Sequence, residues 1–330
     1  MKSFGLGRCA LSGGIAVALL AGCGGPPGQA GAPPVPTAPE SPTGTSQRDL
    51  LYVSNAGGVV TVYRYWYRTF LKQLTGFRAP KGECVDQLGD VFVTDSGLEK
   101  IREYAHGGSK PINVLDDPGY EPYGCSVDPQ TGNLAVANYR TPNRGAGGIV
   151  IYKHAAGKGE FYGPIKDLYS PIALGYDDRG NLLIVSLDES SSYDYASFAL
   201  LPKGSQTFVP VELYQVGSGS PFENVKSLQW DGEYWAVADN GSILRYSIDR
   251  SGNATYEGTV ALSGAGYGQN QLWITNFTGR SRIVGPVSYS NEVTYWEYPA
   301  GGSSIATITE FLNDPYGVTV SRGTDEERTR

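Results

Sequence analysis

A short apolar segment ending in a small or polar residue recurs through this chain at intervals of about 40–50 residues, each copy followed by a second alternating strand. A Pro-x-Gly turn opens a further strand in three places. The last of these strands has no partner behind it, and the first apolar segment has none before it. These observations predict an all-β fold, a six-bladed β-propeller closed by pairing its C-terminal strand with its N-terminal one, since closure protects the edges an open array would expose.

The chain before the propeller reads differently. Lys2 and Arg8 form a basic start, and an apolar run from Ala10 to Ala21 follows, too short to span a bilayer as a stable helix. It ends in Leu20-Ala21-Gly22-Cys23, which resembles the lipobox of bacterial lipoproteins. The resemblance implies a signal peptide over 1–22 and lipidation of Cys23, with several acyl chains giving a stable membrane anchor. Gly24 stands where an inner-membrane retention signal would place Asp, so the expected location is the outer membrane or cell surface, on the periplasmic side. The segment 23–48 is rich in Gly, Pro, Ala, Ser and Thr and has no aromatic residue, so it cannot offset its ordering entropy and is expected to be a flexible tether. The propeller is expected over 49–322, and residues 323–330 form a charged tail.

Within the propeller the repeating segments are Leu51–Asn55, Val91–Asp95, Leu134–Asn138, Leu182–Ser186, Tyr234–Asp239 and a weaker copy at Arg282–Gly285. Second strands follow at Val60–Tyr63, Lys100–Tyr104, Ile149–Tyr152, Ser197–Leu200, Ile243–Tyr246 and Val293–Trp296. Pro80-Lys81-Gly82, Pro122-Tyr123-Gly124 and Pro315-Tyr316-Gly317 match one another, and the third should carry the closing strand. Net charge is −7 with 26 Lys plus Arg, a balance that excludes the basic face a nucleic-acid partner requires.

The stretch Val85–Asp95 and the recurring Val-x-x-Tyr-x-x-x-Gly pattern resemble NHL-repeat and SMP-30 (gluconolactonase)-like six-bladed propellers. The resemblance implies the architecture. It says little about activity, because propellers host hydrolases, lyases, redox enzymes and binding modules. It also implies that related lactonases hold a divalent cation at the channel mouth, although Leu187 and Pro286 stand where polar residues belong. The chain has two histidines, His106 and His154, both in turns at the outer part of a blade, which removes Ser-His-Asp and Cys-His schemes.

Candidate site residues are carboxylates, amides and loop tyrosines placed on one rim. Asn55, Asp95, Asn138 and Asp239 end strands there, and Glu83, Glu121, Glu223, Asn224, Asn270 and Asp314 begin them. Such a set suits Ca²⁺ or another divalent cation, while Asp and Asn at strand ends equally serve to bond the turning backbone. Two connections read as unusually long and should wall this rim: Tyr139–Gly148, with Arg140 and Arg144, and Asp188–Tyr195, with Tyr193 and Tyr195. Cys84 and Cys125 lie on neighbouring innermost strands but one position out of step. Either they face each other across the blade interface and bond, or Cys84 is buried alone. Trp230, Trp235, Trp273 and Trp296 read as inter-blade core. The expected function is a membrane-anchored binding scaffold for a protein, glycan or small-molecule ligand of the envelope. The alternative is a metal-dependent hydrolase of the lactonase type.

Overall fold

The structure, a computed structural model, describes residues 49–323 except 142, 144, 164, 166–167, 189–194, 216–218, 221, 223–224, 266–269, 278–279 and 288–289, and only the backbone of Asp188. The expected signal segment, Cys23, the tether and residues 324–330 lie outside the described residues.

Six sheets form, each built outward from a central channel. Blade one takes β1 (Leu50–Asn55), β2 (Val59–Arg64) and β3 (Thr69–Leu74). Blade two holds β4 (Pro80–Val85), β5 (Val91–Asp95), β6 (Lys100–Tyr104) and β7 (Asn113–Asp116). Blade three holds β8 (Pro122–Val127), β9 (Leu134–Arg140), β10 (Ala146–Tyr152) and β11 (Glu160–Tyr162). Blade four follows with β12 (Ser170–Tyr176), β13 (Leu182–Asp188), β14 (Tyr195–Leu201) and β15 (Val209–Val211). In blade five lie β16 (Leu228–Trp230), β17 (Trp235–Asp239), β18 (Ser242–Ile248) and β19 (Ala254–Ser263). Blade six uses β20 (Trp273–Ile274), β21 (Arg282–Val287) and β22 (Glu292–Glu297). Its excursion β23 (Gly302–Ser303) adds to β19 in parallel before β24 (Ala306–Ile308) completes the blade.

The last strand, β25 (Pro315–Ser321), returns to blade one and pairs antiparallel with β1, Leu51 opposite Val320 and Val53 opposite Val318. The ring therefore closes as the unpartnered first and last strands require. It runs one residue beyond the expected boundary. The Gly323 amide donates to Asp49 Oδ1 at 3.2 Å, while Asp49 Oδ2 accepts from the Trp66 indole at 2.8 Å. In the other blades a hairpin turn occupies this place, and here side-chain bonds tie the chain ends together.

The core lies between blades. Strand β1 is buried along its whole length because its alternate faces meet different neighbours. Leu51 and Val53 pack with Val284 and Tyr295 of blade six, whereas Tyr52 packs with Val91 and Tyr104 of blade two. Strands buried on both faces read as continuous apolar runs, which is the repeat seen in the sequence. The Val-Asp-x-x-Gly part of that repeat is a turn: Asp86 Oδ1 accepts from the amides of Leu88 and Asp90 at 2.9 and 2.8 Å, and Asp177 Oδ1 accepts from Arg179 and Asn181 at 2.9 and 2.7 Å.

One of the two long connections is shorter than expected. Strands β9 and β10 continue to Arg140 and from Ala146, which pair with each other, so both ends of the expected connection are strand. Gly147 and Gly148, which read as loop, serve as strand instead, and the Gly147 amide bonds the Tyr169 carbonyl at 2.9 Å. The second connection falls on 189–194, outside the described residues.

Candidate functional site

The inner strands β25, β4, β8, β12, β16 and β20 start at one mouth of the channel, here the entry mouth, and end at the other, the far mouth. The Pro-x-Gly turns set the entry mouth. Their glycines are there for close approach: a Cβ on Gly82 would sit 2.5 Å from the Tyr123 carbonyl, and one on Gly124 2.6 Å from the Ile172 carbonyl. Hydroxyls on the second strands stitch adjacent inner strands together. The Gly317 amide donates to Ser54 Oγ at 2.9 Å, and Ser54 Oγ–H donates to the Lys81 carbonyl. Thr94 Oγ1 lies 3.1 Å from the Gly82 carbonyl and 2.8 Å from that of Tyr123.

With the strands this close, the middle residues of the turns meet over the opening. The hydroxyls of Tyr123 and Tyr316 are hydrogen-bonded, their rings edge-on with centroids 5.2 Å apart, and Tyr139 stacks on Tyr123. Lys81 Nζ lies 4.2 Å from the centre of the Tyr316 ring and 5.3 Å from that of Tyr123, a cation–π arrangement. Burial under these rings lowers the Lys81 amine from its ordinary value, opposed by the carboxylates of Asp314 and Glu121. Beneath this lid Gln271 reaches across from blade six to blade two. Its Oε1 accepts from the Glu83 amide at 2.7 Å and its Nε2 donates to the Glu83 carbonyl at 2.6 Å. The space between lid and bolt is about 10 Å³, room for about one water molecule. The entry mouth is plugged.

Those residues of the sequence-expected rim that the structure describes do not come together as a ligand set. Asn55 Nδ2 donates to the Val53 carbonyl and to Thr61, and its Oδ1 accepts from the Asn313 amide at 2.9 Å. Asp95 accepts from the amides of Arg78 and Ala79, the latter at 2.9 Å, and Asn270 donates to the Pro315 carbonyl at 3.2 Å. These three bond backbone within or next to the ring wall, the turning-backbone role noted for strand-end Asp and Asn. Asn138 is buried beside Asp117, whose carboxyl burial pushes up to about 6. Glu83 is buried in the channel wall; burial pushes it well above the usual carboxylate range, opposed only by the Thr319 amide. Asp239 and Tyr195 are half-buried at strand ends, while Glu121 and the exposed Asp314 stand near Lys81. Tyr193, Glu223 and Asn224 lie outside the described residues. Among the described residues no three Asp, Glu, His or Cys side chains come together as a hard cation requires. A lysine and two tyrosines occupy the opening, so the described residues at this mouth do not fit such a cation.

The far mouth is open. A cavity of about 310 Å³ is lined by the ends of five inner strands, with Tyr176, Trp230 and Trp273 in its wall and the bonded pair Cys84–Cys125, Cα atoms 5.6 Å apart, at its base. A second cavity of about 320 Å³ adjoins it across Trp273 and Gln229 and reaches Arg322 and Phe277. Gln229 is held in place: its Oε1 accepts from the Ile274 amide at 2.7 Å and its Nε2 donates to the Ile274 carbonyl at 2.8 Å. Two of the four tryptophans expected in the core, Trp230 and Trp273, thus open onto a pocket, while Trp235 and Trp296 are fully buried. The repeat carried a signal for this. Val85 and Val127 precede the turn in two inner strands, Val320 holds the matching place in β25, and Tyr176 and Trp230 replace them in blades four and five. His106 does not sit at the outer part of its blade as expected: the turn that carries it folds back to the inner strand β25, with its Nδ1 2.6 Å from Ser321 Oγ, whereas His154 Nδ1 is 2.9 Å from the Thr131 carbonyl.

No family model matches this chain, and no curated protein sequence does. Solved structures match in fold. A chain in the crystal structure of a nidogen/laminin complex superposes with a TM-score of 0.62 at 15% identity, over 83% of this chain and 98% of that one. The β-propeller domain of Cps50 (Swd1) from Myceliophteria thermophila gives 0.55 at 12% identity, over 83% and 87%. At these identities the likeness concerns the β-propeller fold alone.

Proposed function

We propose that this chain is an exported, lipid-anchored binding module that takes its ligand in the far-mouth pocket. The observation that carries this reading is the contrast between a plugged entry mouth and an aromatic-walled far mouth whose two cavities each reach the size range of ligand sites. A closed ring joined to a membrane anchor suits capture at a membrane surface better than turnover. The hydrolase alternative lacks support, since Asn55 and Asp95 are engaged by backbone and Lys81 stands where a cation would bind. The similar chain in a nidogen/laminin complex is compatible with an interaction role. Two experiments test the proposal. Cys23→Ser should move the protein from the membrane to the soluble fraction, and retention on membranes in high salt overturns the anchor. Asn276→Arg, which crowds the exposed rim of both far-mouth cavities, should abolish retention of an envelope component by the immobilised full chain. Tyr316→Phe at the plugged mouth should leave that retention intact. Equal retention by both variants places the ligand elsewhere.

A further inference from the structure

The geometry points to a saccharide of at least two sugar units as the far-mouth ligand, an inference that rests on the pocket reading above. The first ground is shape. Trp273 separates two contiguous cavities of about 310 and 320 Å³ and belongs to the wall of both, so successive units of a chain can sit on either side of one indole. Trp230 is fixed edge-on against the buried Trp235 at 5.4 Å between ring centres, which makes it a rigid plane in the first cavity. Rigid aromatic planes give contact area at low entropic cost and match the C–H face of a pyranose ring.

Polar chemistry is the second ground. A hydroxyl-rich ligand needs donors and acceptors interspersed rather than one sign of charge. The rim supplies the exposed Asn276 amide between the cavities, the Asp178 carboxylate on one side and the Arg322 guanidinium on the other. The Trp230 indole N–H is buried in the wall and has no acceptor among the described residues. Leaving such a donor unsatisfied is costly, so a ligand oxygen placed within its reach is favoured.

Other ligand chemistries fit less well. A cation needs free carboxylates facing aromatic rings. Asp86 and Asp177 line the cavities, but each carboxylate already accepts two turn amides; Asp178 at the rim has Arg179 beside it at 4.0 Å, and Arg322 opposes a positive ligand. A phosphate needs clustered donors, and Arg322 is the only Lys or Arg in the wall of either cavity among the described residues.

The test is titration calorimetry on the full-length lipidated chain in a detergent without a sugar headgroup. The probes are chitohexaose, cellohexaose and maltohexaose, with tetramethylammonium and inorganic phosphate alongside. At least one hexasaccharide is expected to bind saturably, and Trp273→Ala to weaken it by about tenfold or more. Asn276→Ala, which alters an exposed side chain and should leave folding intact, is expected to weaken it by about threefold. Tyr316→Phe is expected to have no effect. No heat with any hexasaccharide up to about 10 mM overturns the saccharide assignment. If tetramethylammonium or phosphate binds instead, and Asn276→Ala weakens it, the pocket reading survives and only the ligand class is wrong. Saccharide binding unchanged in both Trp273→Ala and Asn276→Ala overturns the pocket reading itself.

Discussion

The two mouths of the channel are built from the same inner strands, yet one is plugged and the other holds a pocket. At the entry mouth, side chains from blades one, two, three and six reach over the opening and meet: Tyr316, Lys81, Tyr123 and Gln271. At the far mouth, Trp230 and Trp273 pack back into the clusters between neighbouring blades and line a cavity rather than meeting over the channel. A closed ring gives every inner strand one residue at each end. Mouth chemistry is therefore decided by whether those residues reach one another, which depends on how closely the strands approach. Glycine and hydroxyl stitches draw the strands together at the entry mouth, and aromatic residues before the turns hold space at the far one.

Both mouths depend on β25, so its removal is the severest way to break the contrast. A chain ending at Asn313 loses the partner of β1 and is expected to aggregate or unfold, with no cooperative transition in calorimetry. Reduction should act next most strongly, from beneath the far mouth. The Cys84–Cys125 bond joins positions 41 residues apart, and chain entropy sets its loss at up to about 4 kcal/mol. Melting with and without reductant measures it, and Cys84→Ser should reproduce the reduced value.

A third probe is pH, which addresses the carboxyls Glu83 and Asp117. Both are acids raised by burial, so the folded state keeps a proton that the unfolded state has lost. Stability should be fullest below about pH 4 for these groups and fall as pH rises, for Asp117 through about 6. Asp117→Asn should gain up to about 3 kcal/mol at pH 8 and nothing at acid pH, measured by urea unfolding. Glu83→Gln should flatten the remaining slope. A wild-type protein more stable at pH 8 than at pH 4, with no gain in either variant, contradicts these environments.

The smallest expected effect is at the entry mouth alone. Gly82→Ala places a methyl 2.5 Å from the Tyr123 carbonyl, and the strain should cost about 1–3 kcal/mol while far-mouth binding persists. Loss of ligand binding in this variant would mean that the two mouths are coupled.

Much of the ring was legible because its strands carry their own signal. Leu51–Asn55 is apolar on both faces and recurs, and Pro315-Tyr316-Gly317 has no partner but β1, so blade number and closure followed from counting. The site was read less well. Asn55 and Asp95 face the loops they bond, a direction that register within a blade decides and residue type does not. Gln271 was not recognised, because a glutamine that spans a channel looks like any surface glutamine until blades six and two are set about one axis. Trp230 and Trp273 were assigned to the core, since a tryptophan in a strand is usually packed on both faces.

By itself, then, the sequence determined the alternating pattern, the repeat and the order of blades. These are local properties: side-chain period and turn chemistry act over a few residues and need no distant partner. Tertiary structure alone decided which mouth is open. That outcome rests on contacts such as Tyr123 with Tyr316 and Gln271 with Glu83, made between residues nearly two hundred positions apart. No local pattern encodes such contacts, because they exist only once the ring has closed and fixed the distance across its channel.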